Sequence, residues 1–136
     1  MYLIDTNIFL EMLLDQQKSE DCQDLLEKLY NGDITAYVSS FALHSIEVML
    51  ERSKKIDMLK VFLRDINDSK GLKRMDTTTM EELFAVQLTK KTGLDFDDAL
   101  HYFICKSFGL KVVSFDKHFD KTDIKRLEPK DVLKKS

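Results

Sequence analysis

Short apolar runs alternate along the whole chain with stretches in which apolar residues recur every three or four positions. The runs at Tyr2–Ile4, Ala36–Ser39, Leu72–Met75, Val112–Phe115 and Ile124–Leu127 read as strands. Helical spacing is carried by Cys22, Leu25, Leu26 and Leu29, by Leu59, Phe62, Leu63 and Ile66, and by Phe96, Ala99, Leu100, Phe103 and Ile104. Shorter helices are expected from about Phe41 to Leu50 and from about Thr79 to Lys90. Strands alternating with helices predict a three-layer α/β/α sandwich, with a central parallel sheet of about five strands covered on both faces. Lys73, Arg74, Lys125 and Arg126 interrupt the third and fifth runs, which places those strands toward the sheet edges and the first and fourth at its centre.

Punctuation follows the same plan. Gly32, Gly93 and Gly109 each follow a helical period, where a left-handed residue ends a helix, and Gly71 precedes a strand. No glycine is left for a loop that cradles phosphates, which excludes P-loop and dinucleotide-binding chemistry. The single proline, Pro129, is expected to end the last strand or to start a C-terminal helical tail.

Composition adds bounds. The 136 residues, 43% of them apolar, match a single domain spanning 1–136 around one core. A formal net charge of −3 argues against a generally basic nucleic-acid coat, so any such contact must be local. Clusters at Arg52, Lys54 and Lys55, at Lys70, Lys73 and Arg74, and at Lys90 and Lys91 read as solvated surface. Cys22 and Cys105 match no zinc or redox spacing and are expected as buried free thiols, in keeping with a reducing compartment. The opening residues carry no cationic leader and no apolar run is long enough to span a bilayer, so the expected location is cytoplasmic, with no membrane partner.

Several acids need an explanation. Asp5 follows the first strand and precedes a helix expected to start within Thr6–Ile8, so it is either a helix cap or a side chain at the ligand-binding edge of the sheet. Leu43, Ile46, Glu47 and Leu50 share one helical stripe, which places a carboxylate on an apolar face. Such a group needs a cation, donors or a metal, unless it reaches out to a lysine such as Lys54. Asp95, Asp97 and Asp98 open a helix; capping explains Asp95, but three acids in four residues repel unless a cation sits nearby. Asp116 ends the fourth strand as Asp5 ends the first. If those strands are neighbours, Asp5, Glu47, Asp98 and Asp116 can converge, and their repulsion implies divalent cations, with oxygen ligands favouring Mg²⁺ or Mn²⁺ over zinc. His44, His101 and His118 share no ligand spacing and read as packing or surface residues.

Leu3-Ile4-Asp5-Thr6-Asn7 resembles the opening motif of PIN domains, as in VapC-type ribonuclease toxins. Glu47 in a helix after the second strand, Asp98-Ala99-Leu100, and Val112-Val113-Ser114-Phe115-Asp116 resemble the later acidic motifs in order and spacing. The resemblance implies that Asp5, Glu47, Asp98 and Asp116 are the catalytic, metal-binding carboxylates, with Asp97 able to share or replace the role of Asp98. It implies that Asn7 and Ser114 orient them, with Thr6 in a lesser supporting role. It further implies a five-stranded parallel sheet, a homodimer, an antitoxin partner, and cleavage of an RNA substrate by metal-activated water that leaves a 5′-phosphate. Some family members carry a further acid two places after the fourth; His118 stands there, and Asp120 is not a clear substitute.

Two other functions compete. A PIN-like module could bind RNA or protein without cutting, a reading that the presence of all four acids disfavours. An Asp-nucleophile phosphatase would also place an acid after the first strand, but it calls for a second Asp where Asn7 stands.

Overall fold

The computed structural model describes residues 1–135. Its strands β1 (Tyr2–Ile4), β2 (Ala36–Ser39), β3 (Leu72–Met75), β4 (Lys111–Val113) and β5 (Arg126–Leu127) form one five-stranded sheet in the order β3-β2-β1-β4-β5. All the pairings are parallel, with Leu3 opposite Val112 and Ile4 opposite Val113. The helices are α1 (Thr6–Leu13), α2 (Ser19–Asn31), α3 (Ser40–Arg52), α4 (Ile56–Asp68), α5 (Thr79–Thr92), α6 (Phe96–Phe108) and α7 (Pro129–Lys135), with a 3₁₀ turn at Lys117–Lys121.

Strand alternation sorts the core into two layers, because successive side chains of a strand point to opposite faces. Ile4 and Val113 pack with buried residues of α1, α2, α3, α4 and α7, including Phe9, Leu25, Ile46, Phe62 and Val132. Leu3 and Val112 pack on the other face with Ala85 of α5 and with Leu100 and Ile104 of α6. The three-layer sandwich expected from the alternating pattern is therefore the fold. Phe9 meets Phe62 edge to face, with ring centres 5.6 Å apart, which fixes α1 against α4.

The charged strands β3 and β5 do lie at the edges, and β1 and β4 lie inside, side by side. Two strands, β4 and β5, differ from expectation in their bounds. Phe115 lies outside β4 because its N–H donates to Asn7 Oδ1 (3.2 Å) and the next N–H, of Asp116, to Ser114 Oγ (2.9 Å), so side chains replace the ladder. Ile124 lies outside β5 because its N–H turns back to Thr122 Oγ1, at 3.4 Å. Pro129 satisfies both of its expected roles, since β5 ends at Leu127 and α7 starts at Pro129. The residues after α2, α5 and α6, namely Gly32, Gly93 and Gly109, all take the left-handed conformation. Gly71 serves differently: a Cβ there would overlap the carbonyl oxygen of Ile34, because the backbone runs against the start of β2. Cys22 and Cys105 are buried free thiols, each pushed up to about 12 by burial. No helix among the described residues is long and apolar enough to cross a membrane.

This topology places the site. The chain steps from β1 through β2 to β3 on one side, then returns to lay β4 and β5 on the other. The direction of winding reverses between β1 and β4, and the crevice beyond the carboxyl ends of such strands is where open α/β sheets hold ligands. Asp5 directly follows β1, and Asp116 comes three residues after the end of β4. Helix α6 leads back into the amino end of β4, so its first turn, with Asp97 and Asp98, lies at the same carboxyl edge.

Candidate active site

Asp5 caps α1 and also takes donors from Asn7 and from Ser114, just past β4. Its backbone N–H donates to Val113 O (3.0 Å), and its Oδ1 accepts the Thr6 N–H at 2.8 Å, starting α1. Oδ2 accepts the Ser114 hydroxyl at 2.6 Å and the Asn7 amide at 3.3 Å. Ser114, fully buried, also accepts Asn7 Nδ2 (3.1 Å) and the Asp116 N–H (2.9 Å), so its hydroxyl has one donation and two acceptances filled. Asn7 and Ser114 thus tie the end of β1 to the end of β4. Thr6 contributes its backbone N–H.

Burial pushes the Asp5 carboxyl up, but the facing His101 ring, the Ser114 hydroxyl and the Thr6 N–H outweigh it and hold the group below the usual carboxylate range. Asp98 is 4% exposed and is pushed up to about 8, first by burial and then by the charges of Asp97, Asp116, Asp95 and Asp5. Burial and the hydrogen-bonded Asp95 push Asp97 up to about 6, while Asp95 itself is held down by that shared hydrogen bond. Asp95 also caps α6, accepting the Asp98 N–H at 3.4 Å.

Asp116 caps the 3₁₀ turn, with Oδ1 accepting the His118 N–H at 2.9 Å. That turn brings the His118 ring over the acids, Nδ1 lying 3.0 Å from Asp116 Oδ1 and 3.6 Å from Asp98 Oδ2. Donor atoms of Asp98, Asp116 and His118 lie within 4.8 Å of one another, as do those of Asp95, Asp97 and Asp98, so Asp98 belongs to both groups. Among the described residues no Lys or Arg forms an ion pair with these acids. Asp120 is bound by the Arg126 guanidinium at 2.8 and 3.2 Å and stays outside the cluster.

Glu47, like Asp5, is in neither of these two groups. It is half-buried about two turns into α3, and its carboxylate takes His44 Nδ1 at 2.8 Å rather than Lys54. Lys54 lies past the end of α3 with φ of 58°. Asp5, Asp98 and Asp116 share one sheet edge, whereas the contact Glu47 makes is local to its own helix.

Two histidines play larger parts than their spacing foretold. His118 faces the acids, and the available signal was its place two residues after Asp116. His101 is indeed a packing residue, fully buried, but its Nδ1 lies 3.4 Å from Asp5 Oδ1 and its Nε2 2.8 Å from Ser39 Oγ. Ser39 carried no signal, since a hydroxyl at a strand end is ordinary in sequence.

The PIN domain model matches residues 2–125. The protein belongs to the PIN domain family. A comparison with curated proteins finds no match. Among solved structures, this PIN domain is similar to Mycobacterium tuberculosis VapC20, described as a toxin that cleaves the sarcin-ricin loop, with a TM-score of 0.75, 16% identity, and coverage of 91% of this chain and 96% of that one. A toxin–antitoxin complex from Klebsiella pneumoniae gives a TM-score of 0.69 at 15% identity over 95% and 98% of the two chains. VapBC2 from Rickettsia felis, bound to a DNA fragment from its promoter, gives 0.66 at 18% identity over 93% and 96%. At these identities the likeness concerns the fold, the same PIN arrangement of sheet and helices.

Proposed function

We propose that this protein is an endoribonuclease that hydrolyses RNA phosphodiester bonds with Mg²⁺ or Mn²⁺, and that it is the toxin of a toxin–antitoxin pair. The observation that carries the reading is the meeting of Asp98, Asp116 and His118 within 4.8 Å, beside buried Asp5 at the switch point of the sheet. Membership of the PIN family and similarity to toxin structures support it.

The donor set fits a divalent ion. A carboxyl pushed up to about 8, first by burial and then by the charges of neighbouring acids, is a group short of positive charge. The 3.0 and 3.6 Å separations of His118 from Asp116 and Asp98 are close to the roughly 3 Å between adjacent ligands of a six-coordinate ion with bonds of about 2.1 Å. Asp5, Asp98 and Asp116 are the proposed ligands, with Asp97 and His118 adjoining them. Glu47 is proposed as a further acid of the site, through release from His44. When bound, the ion activates water for attack on the phosphodiester and stabilises the departing oxygen.

The chain's own residues supply position. Ser114 and Asn7 hold Asp5 and the Asp116 loop in one frame, and Asp97 Oδ1 accepts the Asp98 N–H at 2.8 Å. The Arg126 guanidinium is fixed beside this frame, its Nη1 donating to Ser114 O at 3.0 Å while its fork binds Asp120. The exposed apolar residues Met80, Leu83, Phe84 and Val86 of α5 support a homodimer in a cytoplasmic protein of this length.

Incubation with structured and single-stranded RNA tests the reading. Cleavage with Mn²⁺ that stops with chelator, and in Asp5→Asn and Asp98→Asn, is the expected outcome; cleavage by both folded variants at the parent rate rejects the assigned site.

A further inference from the structure

His101 is fully buried, yet its Nδ1 has no well-formed hydrogen bond and points at the carboxylate of Asp5. From this geometry we infer that His101 is a positioning residue for Asp5: it donates Nδ1–H to Oδ1 and so fixes which side of the carboxylate faces the divalent ion. The inference rests on the proposed metal-dependent reading of the site.

The hydrogen-bond chain behind the ring sets the donor. Ser39 Oγ caps α3 by accepting the Ala42 N–H at 3.0 Å. That leaves the hydroxyl proton free for His101 Nε2, 2.8 Å away, and with Nε2 accepting it the ring proton lies on Nδ1. The opposite tautomer would aim a bare nitrogen lone pair at a carboxylate oxygen inside the protein, an arrangement that repels. At 3.4 Å the Nδ1–Oδ1 contact is longer than a formed hydrogen bond. Asp5 Oδ1 has the Thr6 N–H on one side, and Oδ2 carries Ser114 and Asn7. His101 supplies the remaining donor from the buried side.

The same ring joins two elements of the site. Ser39 ends β2 and starts α3, which carries Glu47, while His101 lies one turn after Asp98 on α6. The link spans 62 positions between Ser39 and His101 and closes on the end of β1.

Two substitutions of similar size separate positioning from packing. In His101→Asn the amide nitrogen takes the place of Nδ1, and in His101→Gln it takes that of Nε2. Calorimetric titration of Mn²⁺ into each intact folded variant should show affinity kept within about threefold for His101→Asn and lost by about 10- to 100-fold for His101→Gln. Equal loss in both, or loss in neither, makes His101 a packing residue and overturns the inference. Nitrogen-15 NMR of the parent protein reads the tautomer without any substitution: a protonated Nδ1 is expected, and a bare Nδ1 overturns the inference. Failure of the underlying reading looks different, since the parent itself then shows no saturable Mn²⁺ heat, and the inference falls with it.

Discussion

The Ser114 hydroxyl donates to Asp5 Oδ2 across 2.6 Å, joining residues 109 positions apart. This contact turns the pairing of β1 with β4 into a shared site, because the same oxygen also holds Asn7 and the Asp116 backbone.

Ser114→Ala should therefore leave Asp5 and the Asp116 N–H short of partners. Urea denaturation is expected to show a loss of about 1–3 kcal/mol, the usual effect of stranding buried polar groups. An unchanged midpoint would mean that water replaces the hydroxyl without loss.

The raised Asp98 carboxyl makes stability depend on pH. Its folded value of about 8 lies above the ordinary 3.8, so the folded protein keeps a proton that the unfolded chain has released, and the stability of the ion-free domain falls as pH rises through that window. Mn²⁺ competes with that proton. Thermal melts at pH 6, 7 and 8 should show a Mn²⁺-induced gain in Tm that grows with pH; a gain that shrinks would contradict the placement of the ion beside Asp98.

His118 stands where an acid would give an all-oxygen site, and imidazole nitrogen suits Mn²⁺ better than Mg²⁺. His118→Ala should weaken Mn²⁺ binding by about tenfold and Mg²⁺ binding little. Parallel calorimetric titrations check this, and an unchanged ratio of the two affinities would leave His118 as an ion-pairing surface residue.

Much of this arrangement was legible in the chain. The first run is apolar, the fourth is apolar apart from Ser114, and the edge strands carry lysine and arginine, so the central and edge places of these strands followed from burial. Asp5 and Asp116 were legible because each directly follows an apolar run of the sequence. The environment of Glu47 was not, because an i,i+3 partner on an exposed helix face, His44, competes locally with anything distant. Nor was the His101 contact, because a histidine within an apolar stripe looks the same whether it packs or points at an acid 96 residues away in number (101 against 5). The end of β4 also escaped, since it depends on Asn7 reaching across to Phe115.

Gly71 tests the fold independently of the site. Its N–H donates to Leu29 O and its carbonyl accepts the Ala36 N–H, both at 2.8 Å, with Ile34 pressed against the Cα. Gly71→Ala should destabilise the protein by about 3 kcal/mol or more, since buried backbone must move to admit the methyl group. Guanidinium denaturation measures it, and a loss under about 1 kcal/mol would mean that the strand entry yields easily.

The central claim is that separated acids meet at one sheet edge and hold a divalent ion there. Isothermal titration of Mn²⁺ into the parent and into folded Asp98→Asn tests it most directly. The account predicts saturable heat in the parent that is lost in the variant. Equal heat in both, or none in the parent, would contradict it.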